Sequence, residues 1–212
     1  MAKNELEKRS YVCEVRTEGD DADGIIVGHP IVYNSRTDLG WFDEIIEAGA
    51  LNNTDMTDVR FLVNHDTSKI PLARSRRNNG NSTMQLTTDN DGLKIRAQLD
   101  VENNSEARAL YSAVQRGDIS GMSFMFAIRG QAWDDLDSDH PTRRITDIST
   151  VVEVSAVTFP AYNATSIDAR SNEALESAKI ALESARQQRA IESVDTDALE
   201  LEKAKFRFKF KN

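Results

Sequence analysis

Three short segments hold the residue types from which a hydrolytic centre can be assembled. They supply an imidazole at His65, hydroxyls at Ser120 and Ser123, and a carboxylate at Glu153. A serine hydroxyl is a weak nucleophile until a base accepts its proton. Imidazole, with an unperturbed pKa of about 6.5, suits that task at neutral pH. A third group must then hold the ring in one tautomer and stabilise its cationic form.

Each residue must be carried by an element that aims it. His65 ends the run Val59-Arg60-Phe61-Leu62-Val63-Asn64, so a packed strand could present it to a cleft. A lone histidine after a strand also serves as an ordinary structural or surface residue. Gly117 to Phe126 reads Gly-Asp-Ile-Ser-Gly-Met-Ser-Phe-Met-Phe. Strand alternation puts Met122, Phe124, Phe126 and Ile128 on one face and Ser123 on the other. Ser120 would share the apolar face, which makes Ser123 the better nucleophile candidate; a merely hydrogen-bonded strand serine is the alternative. Glu153 interrupts the apolar strand Val151 to Phe159, where a carboxylate is costly unless partnered. Either a histidine or a salt bridge to Arg143 or Arg144 would satisfy it. Spacing leaves open whether the three residues meet.

The surroundings read as a mainly β domain with helices. Strands are expected over Tyr11 to Arg16, Gly24 to Tyr33, Val59 to Asn64, Thr83 to Thr87, Leu93 to Leu99, Met122 to Arg129 and Val151 to Phe159. Asp89-Asn90-Asp91-Gly92 marks a hairpin turn. Strands at this spacing suggest a barrel or sandwich. Ala107, Leu110, Tyr111 and Val114 recur at helical spacing, with Asn104 or Ser105 at the cap and Gly117 past the last turn.

Composition excludes several classes. The chain has 212 residues, 39% of them apolar, a net charge of -9, one cysteine and three histidines. The negative balance argues against nucleic-acid binding. Cys13 permits no internal disulfide, and as part of an alternating segment it reads as a strand cysteine. With so few thiols and imidazoles no metal or other cofactor is expected. The acidic runs Glu18 to Asp23 and Asp134 to Asp139 lack the ligand pattern of a calcium loop. No run is long and apolar enough to span a membrane, and Met1 to Arg9 lacks a signal peptide's apolar core, so the cytoplasm is the expected compartment.

Three regions are expected: a charged segment 1-9, a folded domain 10-168, and a tail 169-212. Within the tail, Leu175, Ala178, Leu182 and Ala185 follow a helical 3-4-3 spacing inside Asn172 to Glu192. The stripe is narrow, so this helix could meet a partner helix, pack on the domain or stay solvated. Phe206 to Lys211 alternates aromatic and basic residues, as a terminal strand or a docking peptide would.

Taken in order, five blocks resemble the tailed-bacteriophage prohead proteases, serine peptidases of capsid maturation related to herpesvirus assemblin. The blocks are Gly24 to Asn34, Phe42 to Leu51, Asn64-His65-Asp66 with Pro71 to Arg74, Gly117 to Phe126, and Glu153 to Tyr162. Ala48 stands where the family has proline, and Ala73 and Met125 stand where it has glycine. The resemblance spans roughly Ser10 to Asp168.

It implies His65 as base, Ser123 as nucleophile and Glu153 as third member. It also implies a herpesvirus-protease-like β-barrel ringed by helices. Herpesvirus enzymes use a second histidine as third member, and neither His29 nor His140 lies in a matching block. The implied substrates are the scaffolding protein, or the scaffolding segment of the major capsid protein, with self-cleavage, inside the assembling prohead in the host cell. A homodimer would match the herpesvirus relatives. The altered glycines and the long helical tail motivate a second expectation, a scaffold or assembly protein on the same fold that has lost catalysis. The family role also gives the region from Asn172 a job, as a packaging or self-processing tail that associates with scaffold or capsid protein.

Overall fold

The computed structural model describes residues 6–11, 15–20, 23–77, 80–158, 176–191 and 203. The β-branched and aromatic runs form β1 (Leu6–Tyr11), β2 (Val15–Glu18), β3 (Ile25–Val32), β4 (Arg36–Asp38), β5 (Asp43–Ile46), β6 (Asp58–Val63), β7 (Ala73–Arg76), β8 (Met84–Thr88), β9 (Gly92–Gln98), β10 (Gly121–Asp134) and β11 (Thr142–Val157). One helix, α1 (Ser105–Gln115), lies between β9 and β10. A second, α2, covers 176–191.

The strands form two sheets. The four-stranded one runs β2-β3-β9-β8 and is antiparallel throughout. The larger has seven strands and is organised by β11, the longest. Along one edge β11 pairs antiparallel with β10, whose far edge carries β1. Its other edge is divided: β5 pairs parallel at Thr142 to Ile145, and β6 pairs parallel at Glu153 to Ala156. One core joins both sheets and the Ala107, Leu110, Tyr111 and Val114 face of α1.

The expected barrel is not what forms: the sheets do not close on each other. Where β7 approaches β8, the bridging groups are side chains. Ser82 Oγ and Thr83 Oγ1 accept the Arg76 and Arg74 amides at 2.9 Å each. Those hydroxyls replace the backbone ladder that barrel closure requires.

Several local expectations hold. Asn104 caps α1, its side-chain oxygen accepting the Glu106 and Ala107 amides at 2.9 and 3.3 Å. Gly117 follows with φ of +79°. In the β8–β9 hairpin, Asp89 Oδ1 accepts the amides of Asp91 and Gly92. Gly92 is obligatory there, because a Cβ would stand 1.9 Å from the Ile31 carbonyl oxygen.

Other expectations change. The strand expected over Tyr11 to Arg16 is two strands, with 12–14, and so Cys13, outside the described residues. The boundary expected at residue 10 falls inside β1, where Glu7 and Arg9 are buried. The strands β4 and β5 follow Asn34, whose positive φ turns the chain; three or four residues are too short for a sequence period to emerge. Of the fates open to the tail helix, α2 takes packing on the domain. Ala178 and Leu182 are buried, and Arg186 donates to the Leu136 and Ser138 carbonyls at 2.8 and 3.4 Å. Residues 159–175, including Leu175, and the run Phe206 to Lys211 lie outside the described residues. Among the described residues no helix is long and apolar enough to cross a membrane.

Candidate active site

The site forms where β6, β10 and β11 run side by side. In the β10–β11 ladder Ser123 stands opposite Ser155, and Met125 opposite Glu153. Alternation therefore puts all four on one face, away from Phe124 and Phe126. The buried Val59, Phe61 and Leu62 anchor β6 beside β11, which brings its end level with this face.

The chain must then turn sharply to aim His65. Asn64 and His65 have φ of 52° and 58°, the left-handed region that costs a non-glycine residue energy. Asn64 is a type that tolerates it, and its surroundings hold it there. Its amide continues the ladder to the Ala156 carbonyl at 3.0 Å. Its side chain donates to Thr158 Oγ1 at 3.0 Å and accepts the Thr158 amide at 2.9 Å. The His65 amide donates to Ser155 Oγ at 3.1 Å.

With the backbone held in that turn, His65 bridges the two other candidates. Its Nε2 lies 2.5 Å from Ser123 Oγ, and its Nδ1 is hydrogen-bonded to Glu153 Oε1. The second carboxylate oxygen, Glu153 Oε2, accepts the Ser155 hydroxyl at 2.6 Å. The imidazole is 13% exposed, whereas Ser123 and Glu153 are 0% and 2% exposed. An ionised Glu153 favours a proton on Nδ1, which leaves the Nε2 lone pair facing the serine hydroxyl. The arrangement can draw a proton from Ser123 Oγ and stabilise the imidazolium that results.

These contacts show which of the residues that spacing left open come together. Ser120 is exposed just ahead of β10, and Ser123 is the hydroxyl beside His65. Arg143 bonds Glu7, Glu44 and Gln131 instead of Glu153, and Arg144 pairs with Glu47 and Asp134. His29 borders a separate groove with Arg16, Val27 and Arg96, and His140 meets Asp43 at the surface. Ser155 is the residue that sequence reasoning passed over. Its signal was available: two positions after Glu153 on a strand, it had to share that carboxylate's face.

A second polar group lies on the opposite face of the same strands. The β1–β10 register sets Arg9 opposite Phe124 and Glu7 opposite Phe126. Their side chains meet Glu44 and Arg143: Arg143 donates to Glu7 Oε1 at 3.0 Å and Oε2 at 2.9 Å, and Arg9 donates to Glu44 Oε1 at 2.5 Å and Oε2 at 2.9 Å. Burial pushes the Glu44 carboxyl up, but the Arg9 and Arg143 guanidiniums outweigh that and hold it below the usual carboxylate range. Among the described residues, Asp38, Asp43 and His140 are close enough together to share a metal ion. Asp43 already engages Arg36 and His140, so ion pairing accounts for the cluster.

A hydroxyl, an imidazole and a carboxylate in hydrogen-bonded series make up the chemical equipment of a serine hydrolase. Residues 11–179 match the caudovirus prohead serine protease family, and the chain belongs to that family. It is thus a protease of capsid maturation by family. Among solved structures it is similar to the bacteriophage T4 capsid assembly protease gp21, at 13% identity over 74% of this chain and 100% of that one, with a TM-score of 0.38. No curated protein matches it by sequence.

Proposed function

We propose that the chain is a serine endopeptidase that cuts the scaffolding protein, or the scaffolding segment of the major capsid protein, inside the assembling prohead, and also cuts itself. The series Ser123 Oγ, His65 Nε2, His65 Nδ1, Glu153 Oε1 carries this reading.

In this mechanism His65 accepts the hydroxyl proton as Ser123 Oγ bonds to the scissile carbonyl carbon. Glu153 stabilises the imidazolium. The imidazolium returns its proton to the leaving amine as the C–N bond breaks, leaving an acyl-serine. Water, deprotonated by the same ring, then releases the acid and restores Ser123. Capsid or scaffold protein is the partner this requires.

Co-expression of the wild type or Ser123→Ala with the cognate capsid and scaffolding proteins tests the reading. Defined fragments should appear with the wild type and vanish with the variant. Fragments that survive Ser123→Ala would remove Ser123 as nucleophile.

A further inference from the structure

The nucleophile is covered by the protein's own chain. β1 is the outermost strand of its sheet, lying along the edge of β10 with Ser10 opposite Ser123. The Arg9 carbonyl oxygen sits 2.6 Å from Ser123 Oγ. One hydroxyl proton must therefore be divided between that carbonyl and His65 Nε2. An edge strand that brings a peptide carbonyl to the nucleophile has the form of a substrate bound by strand addition.

Its side chains show what such a strand must carry. Glu7 and Arg9 point to the face away from Ser123, where Glu44 of β5 and Arg143 of β11 wait. Both are held by the sheet itself, being register neighbours in the β5–β11 pair. They stay behind when β1 leaves. A replacement strand without matching charges would leave buried ions less well compensated, which is strongly unfavourable.

We infer that substrate takes the place of β1 along β10, with a basic residue whose carbonyl meets Ser123 and an acidic residue two positions before it, recognised by Glu44 and Arg143. This rests on the proposed peptidase reading and names its substrate class. The same contacts make β1 a competitor that must be displaced before another chain is cut. They also make Arg9–Ser10 the first bond available to self-cleavage: Ser123 Oγ would bond to the Arg9 carbonyl carbon, and the Arg9–Ser10 C–N bond would break as His65 passes the serine's proton to the Ser10 nitrogen, which leaves as a free amine.

The test uses the full chain carrying Arg9→Glu, which sets a third carboxylate beside Glu7 and Glu44 and so loosens β1. It is given synthetic peptides with arginine, lysine, alanine or glutamate directly before the bond, and a glutamate two positions ahead of that residue. Fragment termini from the scaffolding protein are mapped alongside. Arginine and lysine peptides should be cut at least about tenfold faster than the others, as loss of a buried charge pair predicts. Exchanging the peptide glutamate for lysine should slow cleavage, and adding Glu44→Gln should shrink the basic preference. Cleavage without charge preference, or a preference unmoved by Glu44→Gln in a folded protein, overturns the inference and leaves the peptidase standing. If Glu44→Gln does not fold, the peptide ratios and the mapped termini decide. No cleavage of peptide or scaffold by the unsubstituted chain overturns the peptidase reading and this inference with it.

Discussion

Ser155 links two parts of the candidate site. Its hydroxyl donates to Glu153 Oε2 and accepts the His65 amide, so it ties the carboxylate to the backbone that carries the imidazole. A positioning role predicts a particular pattern for Ser155→Ala. With two hydrogen bonds removed, kcat should fall roughly tenfold, the equivalent of about 1.4 kcal/mol of transition-state stabilisation, while KM stays near the wild-type value. Ser155→Thr, which keeps the hydroxyl, should recover most of the rate. A drop in thermal stability with kcat intact would assign Ser155 a structural role instead. The strained pair Asn64 and His65 belongs to the same account, since two left-handed residues persist only where the neighbours hold them.

At the scale of elements, β5 and β11 hold Glu44 and Arg143 as a buried pair, and β1 adds Glu7 and Arg9 to it. The depressed Glu44 carboxyl has a consequence for stability. A folded-state pKa below the unfolded one contributes stability that is fully present above about pH 4.3, the ordinary glutamate value. It is lost as the pH falls through the lower native value. Glu44→Gln should cost about 3 kcal/mol at neutral pH, because it leaves two guanidiniums sharing one carboxylate. Its melting temperature should also depend less on pH than the wild type's below about pH 4.3. Thermal unfolding followed by circular dichroism between pH 3 and 7 checks both; parallel pH profiles for the two proteins would contradict the account.

For the whole molecule, α2 is part of the folded body as well as of the tail. Arg186 and an Arg189–Asp137 ion pair fasten it to the loop between β10 and β11. That loop is far along β10 from Ser123. Deleting 172–212 should therefore lower the melting temperature, by roughly 2–4 °C for each kcal/mol that the docked helix contributes, yet leave peptide hydrolysis in place. If the tail recruits the enzyme through scaffold or capsid protein, the same deletion should reduce its incorporation into proheads. Incorporation equal to the wild type's would end that proposal.

What could be read in the sequence was what depends on neighbours a few positions apart. Two-residue alternation already separated Ser123 from Phe124 and Phe126, the 3-4 spacing placed α1, and Glu153 in an apolar strand already demanded a partner. The meeting itself was not legible. His65 stands 58 positions from Ser123 and 88 from Glu153, and only the pairing of β6 and β10 on opposite edges of β11 brings them together. The open sheets, the capture of the charged segment 6–9 as β1 and the docking of α2 were decided at the same level. Strand order and register are set by packing between distant segments, and a local pattern of residues carries no record of which distant edge it will meet.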